Sequence, residues 1–205
     1  MVLIANVAHD LRTPLASLRS YLETLLLKED TLPVQQRRSY LEIASRQSAH
    51  LTALVAQLFE LAQLDFKGFK VNREPVELDE LARDAVEKFE LSAEKKGVAL
   101  KIEAAASVPY VLADIGLIER ALENLIENAL KHSPSEGKVA LTIDPHESEV
   151  RVQVADNRGG ISKEDLPFIF DRFYRGDKSQ GSAGAGLELA ITKPILELHW
   201  RPDHG

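Results

Sequence analysis

The sequence has no cysteine, one methionine, one tryptophan and only 6% aromatic residues among 205. Without cysteine there are no disulfides, thiolate metal sites or sulfur nucleophiles, and the composition suits a reducing compartment, so cytoplasmic exposure is the simplest expectation. A surplus of positive charge is also missing. Against 32 Asp and Glu stand 25 Lys and Arg, a formal charge of -7, so no basic field holds nucleic acid nonspecifically and a bulk DNA-binding role is disfavoured. No stretch approaches the roughly 20 apolar residues of a bilayer span. The opening MVLIANVAHD has neither a basic n-region nor a long apolar core, which excludes a signal peptide. It already lies in a helical register, so the sequence is expected to begin inside a larger protein. What is present, 44% hydrophobic and 28% charged residues, is ordinary for a folded chain of one domain or two small ones.

Ile4, Val7, Leu11, Pro14, Leu18, Tyr21 and Leu25 recur in alternating steps of three and four, the pattern of a helical seam. After a break at Lys28 to Pro33 the alternation returns in Leu41, Ala44, Ser48, Leu51, Val55, Leu58 and Ala62. Two long helices joined by a short polar connection make an antiparallel hairpin. Leu15 and Leu22 widen the first stripe, Leu54 and Leu61 the second. Because a lone hairpin would leave much of this surface in water, two hairpins are expected to pair as a homodimeric four-helix bundle.

Gly68 and Pro75 mark a linker over residues 67–75. Beyond it the pattern predicts a strand at Val76 to Leu78, a helix from Asp79 to about Lys96, and strands near Val98 to Glu103 and Tyr110 to Leu112. A strong helix from about Ile115 to His132 follows, then strands Lys138 to Ile143 and Glu149 to Ala155 joined by a turn at Asp144 to Ser148. A loop-rich region from Asp156 to Ala183 leads to a last helix from about Ala185 to His199. Helices alternating with adjacent strand pairs predict a mixed sheet with helices on one face, and an α+β chain as a whole.

Three clusters carry candidate chemistry. His9 lies two residues past the seam position Val7, about 200° around an ideal helix, which points its imidazole away from the bundle core. Asp10 adjoins it, while Arg12 and Thr13 share its face. A carboxylate beside an imidazole keeps one nitrogen protonated and leaves the other nucleophilic. Pro14 removes a backbone donor one turn away. On the helix 115–132, Asn124 and Asn128 stand one turn apart beside the apolar stripe Ile118, Ala121, Leu122, Leu125 and Ala129, with Lys131 beyond. Their amide oxygens suit Mg²⁺, and Lys131 suits phosphate. Finally, glycines follow Asp156 and Asn157 and precede the last helix, where backbone amides and the helix dipole favour phosphate. Their spacing is neither that of a P-loop nor that of a dinucleotide fingerprint.

In chain order, HDLRTPLASL, NLIENALKHS, DNRGGI, FDRFYRGD and GAGLELAI resemble the H, N, first glycine, F and second glycine boxes of the sensor histidine kinases of bacterial two-component systems. The resemblance implies a dimerisation and phosphotransfer hairpin at residues 1–66 and an ATP-binding α/β sandwich at 76–205. It implies ATP and Mg²⁺ as cofactors, a response regulator receiver domain as partner, and a membrane link only through an N-terminal sensor region that this sequence lacks. By the same resemblance His9 is the phosphorylated residue, Asp10 orients it or acts as its base, and Thr13 supports removal of phosphate from the partner. Asn128 would hold Mg²⁺, with Asn124 and Lys131 near the phosphates, and Asp156 would bind the adenine amino group. Gly160 belongs to the first glycine box. Phe170, Arg172, Phe173 and Arg175 would form a mobile lid, and Gly184, Gly186 and Leu187 would approach the triphosphate.

The sequence departs from the family pattern at three places. Arg158 replaces the first glycine of its box, Glu188 stands where a third glycine is usual in the second, and Pro194 falls inside the last helix, after which the tail WRPDHG replaces the usual glycine pair and final strands. Glu188 sets a negative charge near a triphosphate, so weak ATP binding is expected. This leaves an alternative, a dimeric scaffold or response-regulator binder or phosphatase without autokinase activity. A second alternative, an ATPase of the chaperone or topoisomerase kind, is disfavoured by the H box.

Overall fold

The computed structural model describes residues 2–147, 149–157, 159–174 and 186–200, with side chains described from residue 7 to residue 199. Two compact units succeed one another, Met1–Gln63 and Leu64–Gly205.

The first unit is a helical hairpin of α1 (Val2–Leu27) and α2 (Val34–Leu64). Between them the Lys28 carbonyl accepts from the amides of Thr31 and Leu32 at 3.0 Å, closing a tight turn. The Arg37 guanidinium donates to the Glu29 carbonyl, and the rings of Tyr21 and Tyr40 meet at 5.2 Å between centroids, joining the two helices beside the turn. Pro14 sits inside α1, which runs on without interruption.

On α1 the expected seam from Val7 to Leu25 is buried or half-buried, with Leu15 and Leu22 facing out. On α2 the expected seam divides. Ala44, Leu51, Leu54, Leu58 and Leu61 turn inward, whereas Leu41, Ser48, Val55 and Ala62, spaced by seven, are exposed. Thus Leu54 and Leu61 are core residues, not a widening of the stripe. The reason is geometric: one antiparallel neighbour covers about one stripe of each helix, and a broader apolar face leaves a second stripe over.

The second unit layers helices on one side of a sheet. Strands β2 (Ala99–Ala104), β4 (Lys138–His146) and β5 (Glu149–Asp156) form a sheet in the order β2-β4-β5, parallel at the first pairing and antiparallel at the second. Val139, Leu141 and Ile143 alternate inward on β4 and are fully buried. Against this face lie α3 (Leu78–Lys96) and α4 (Ile115–His132), whose Leu81, Ala82, Ala85, Leu122, Ile126 and Ala129 complete the core. The last helix, α5 (Glu188–Trp200), packs on α4. A separate antiparallel pair joins β1 (Glu74–Val76) to β3 (Val111–Ala113).

Several boundaries move for local reasons. The first strand ends at Val76 because Leu78 opens the apolar stripe of α3 and is buried there. That helix stops at Gly97, whose φ of 70° is left-handed and allows the Val98 amide to reach back to the Ala93 carbonyl. The expected turn over Asp144 to Ser148 is mostly strand: Asp144, Pro145 and His146 pair with Arg151, Val150 and Glu149, and the chain reverses at Glu147 with φ 52°. Pro145 is tolerated because the pairing of β4 with β2 has already ended at Ile143, so the missing N–H falls on an open edge. Asp114 caps α4 by accepting from the Leu117 amide at 3.2 Å. Among the described residues, no helix is long and apolar enough to cross a membrane.

Candidate functional site

The histidine of α1 is placed as its spacing predicts. Its side chain is 77% exposed, and Nδ1 lies 3.2 Å from Asp10 Oδ1. With the proton on Nδ1 facing that carboxylate, Nε2 keeps its lone pair and is open to solvent. Thr13, one turn on, donates its hydroxyl to the His9 carbonyl at 3.2 Å, which leaves the hydroxyl oxygen able to accept. The next residue, Pro14, has no N–H to give to the Asp10 carbonyl, so the backbone is less bonded here than elsewhere in α1.

In the second unit Asn124 of α4 lies within the core and not beside the apolar stripe as expected. Asn124 is fully buried, and neither its amide oxygen nor its amide nitrogen has a hydrogen-bond partner among the described residues. Asn128 is half-buried. The correction follows from packing: with the sheet and α3 on one side and α5 on another, most of the circumference of α4 is covered. A buried amide with no partner ordinarily costs about 1–3 kcal/mol, and such groups mark places where a polar ligand or water belongs. This orphaned amide fits a polar ligand at the N box.

Lys131, in the last turn of α4, donates to Glu188 Oε1 at 2.9 Å, with side-chain exposures of 17% and 8%. Burial pushes the Glu188 carboxyl upward, but the Lys131 charge and hydrogen bond, helped by the helix backbone and His132, outweigh it and hold it below the usual carboxylate range. The end of α4 is pinned from below, where Lys96 donates to the carbonyls of Leu130 and Lys131. Glu188 is the first residue of α5, preceded by Leu187, which is fully buried, and by Gly186 with a left-handed φ of 67°.

Asp156 ends β5 opposite Val139 and is exposed, on a strand that packs against α4. Its neighbour Asn157 clamps the sheet end, accepting from the Lys138 amide at 2.8 Å and donating its own amide to the Lys138 carbonyl at 3.1 Å. Gly160 has φ 78°, a conformation that side chains other than glycine rarely adopt.

In the F box, Phe173 is buried, carries φ 63°, and donates its amide to the Gly186 carbonyl at 3.2 Å. The two glycine- and aromatic-rich segments are therefore tied together at their base. Phe170 is partly exposed beneath Lys193, whose Nζ lies 6.0 Å from the ring centre. Arg172 pairs with Asp65 at 2.5 Å within the second unit. Arg158, Arg175 and Gly184 lie outside the described residues.

Two family descriptions match the chain in order. His Kinase A (phospho-acceptor) domain covers residues 2–67, and Histidine kinase-, DNA gyrase B-, and HSP90-like ATPase covers 113–202. The chain belongs to the sensor histidine kinases. A curated relative is the Sensor histidine kinase WalK of Bacillus subtilis, 35% identical over 96% of this chain and 32% of its own length. The histidine kinase AdeS of Acinetobacter baumannii shares the fold, with a TM-score of 0.73 at 23% identity over 92% of this chain and 86% of its own. Full-length ShkA in complex with AMPPNP gives 0.69 at 29% identity over 93% and 39%. The chain spans about a third of the length of WalK.

Helix α4 packs against α5 and against β5, and Lys131 near the end of α4 meets Glu188 at the start of α5. The engagement of Lys131 by Glu188, and of Arg172 by Asp65, was not foreseen from sequence. Both partners are acidic residues far away in the chain, and no local pattern announces them. The sole hint was Glu188 itself, a charge where the family has glycine.

Proposed function

We propose that this chain transfers the γ-phosphoryl group of Mg-ATP to His9 Nε2 and then passes it to an aspartate on a response regulator receiver domain, acting in the cytoplasm. The observation that carries this reading is the His9–Asp10 pair. It presents an exposed imidazole whose Nε2 has no partner among the described residues, on a helix of the family's phospho-acceptor domain. Nε2 attacks the γ-phosphorus, the N–P bond forms as the bond to the β,γ-bridging oxygen breaks, and ADP leaves with that electron pair. Asp10 faces the Nδ1 proton and stabilises the positive charge the ring acquires. Little further covalent chemistry is required, because phosphoryl transfer rests chiefly on positioning and charge neutralisation.

Residues 1–66 serve as the dimerisation and phosphotransfer domain, 67–75 as a linker, and 76–205 as the ATP-binding domain. Asn128 would hold the Mg²⁺ that neutralises phosphate charge. Asn124 and Lys131 meet phosphates, Asp156 meets the adenine, Gly160, Gly184, Gly186 and Leu187 line the nucleotide with backbone, and Arg172 and Arg175 belong to the lid. The orphaned Asn124 amide supports a ligand at this helix face, and the AMPPNP held by ShkA supports a triphosphate nucleotide. The outward stripe Leu15, Leu22, Leu41 and Val55 supports a homodimer.

The test is incubation of the chain with ATP labelled at the γ-phosphate. Label that is acid-labile, base-stable and dependent on Mg²⁺ is the expected result, and its absence excludes autokinase activity. A second reading, a regulator-binding scaffold or phosphatase, is favoured by the Lys131–Glu188 pair, which keeps a phosphate-binding lysine occupied. In that case an unlabelled chain still binds the regulator or strips its phosphate.

Thr13 stands one turn from His9 with its hydroxyl oxygen able to accept. Thr13→Ala is expected to slow dephosphorylation of the regulator by about tenfold or more, the scale of a lost positioning group, while sparing His9 labelling. Equal loss in both assays would make Thr13 a structural residue.

A further inference from the structure

Glu188 and Lys131 are 57 residues apart, yet their charged groups meet at 2.9 Å in a place from which both side chains are largely withdrawn from solvent. Burying two charges is costly unless each satisfies the other, so neither can stay in this position alone. The carboxylate also occupies the first turn of α5, where free backbone amides and the helix dipole draw an anion. A lysine and a helix N-terminus are the two features here that attract a phosphate, and one carboxylate occupies both.

The rest of the helix face is arranged differently. Asn124 precedes Lys131 by seven residues, about two full turns, and Asn128 lies between them, so the three project to one side of α4. At one end of this row stands a buried amide with both polar atoms unpartnered among the described residues. At the other stands a lysine already neutralised. The Asn124 end awaits a polar ligand, while the lysine end carries an internal anion in place of one. The pair is braced on both sides: Lys96 grips the carbonyls at the end of α4, and the buried Thr192 hydroxyl bonds the Glu188 carbonyl at 2.9 Å.

We propose that the Glu188 carboxylate is a built-in competitor for the nucleotide's phosphate at Lys131, so that this chain admits a phosphorylated nucleotide only by displacing it. The proposal deepens the ATP-binding reading and rests on it. Its chemical consequence is selective. A ligand whose phosphate reaches Lys131 must break the pair, whereas a nucleoside without phosphates leaves it intact. Removing the carboxylate therefore strengthens phosphate-dependent binding and leaves nucleoside binding unchanged.

Calorimetric titration of the full chain with Mg-ATP and with adenosine, in wild type, Glu188→Gln and Glu188→Gln with Lys131→Met, tests this. Gln keeps the size and an acceptor oxygen without the charge. Expected is an affinity for Mg-ATP tighter by about tenfold or more in Glu188→Gln, no change for adenosine, and loss of the gain when Lys131 is also replaced. Glu188→Gly provides the same comparison should Gln unfold the chain, which circular dichroism reports. Equal Mg-ATP affinity in wild type and the folded Glu188 variants, with adenosine still bound, would overturn the competitor role while leaving the nucleotide site standing. Equal tightening of Mg-ATP and adenosine would overturn it too, as a general loosening of the site. No binding of either ligand by any folded variant would overturn the nucleotide reading itself and the proposal with it.

Discussion

His9→Gln is expected to abolish incorporation of acid-labile phosphate, by ~100-fold or more, because it removes the attacking nitrogen and not merely a group that steers it. Glutamine retains a polar, exposed side chain, and the His9 side chain is 77% exposed, so the helix loses little packing. Nucleotide affinity is expected to stay within about twofold, since His9 belongs to the first compact unit and the nucleotide residues to the second, and independent sites add. Radiolabelling beside nucleotide titration of the same protein separates the two effects. Undiminished labelling would exclude His9 as the acceptor, and a parallel collapse of nucleotide binding would mean the substitution disturbs more than the acceptor. The neighbouring Asp10→Asn keeps a hydrogen-bonding oxygen near Nδ1 but removes the charge that stabilises the phosphorylated ring, so its labelling rate falls between wild type and His9→Gln.

The second large effect concerns the stripe that one hairpin leaves uncovered. Val55 is 53% exposed in the isolated chain, together with Leu15, Leu22 and Leu41. Val55→Glu should thus leave the hairpin folded while placing an unpaired carboxylate where a second hairpin is proposed to pack. In a two-fold assembly the substitution occurs twice, and each buried unpaired charge costs several kcal/mol, so the dimer dissociation constant is expected to rise at least ~100-fold. Sedimentation velocity at micromolar protein reads this as a monomer, with unchanged helical circular dichroism. Ala53→Glu, about 200° away around α2, is the control and should remain dimeric. An unchanged dimer mass for Val55→Glu would remove this stripe from the interface.

Much of this architecture is legible in the chain because it depends on short-range rules. Helix α1 follows from a three-four alternation over more than twenty residues, and the exposure of His9 from its offset to Val7. Gly97 ends α3 and Asp114 begins α4 through contacts within a few residues, so composition alone announces them. The order of the five sequence boxes is likewise local information, and the family match bears out the recognition built on it.

What the tertiary structure alone decided involves residues whose partners are distant. Periodicity shows that α2 is apolar over a broad face, but only the hairpin partner selects Leu54 and Leu61 for the core and leaves Leu41 and Val55 outside. The helical wheel put Asn124 at the edge of a stripe, whereas coverage of α4 by α5 as well as by the sheet sealed it in without a partner. Arg172 and Asp65 are 107 residues apart, and Lys131 and Glu188 are 57. A charge in the sequence states only its sign, whereas the pairing it makes depends on loop closures and helix packing that bring two ends of the fold together, and on the burial that makes the meeting strong. For that reason Glu188 read as a stray negative charge among glycines, and only the packed α4–α5 corner made it the partner of the lysine expected to hold phosphate.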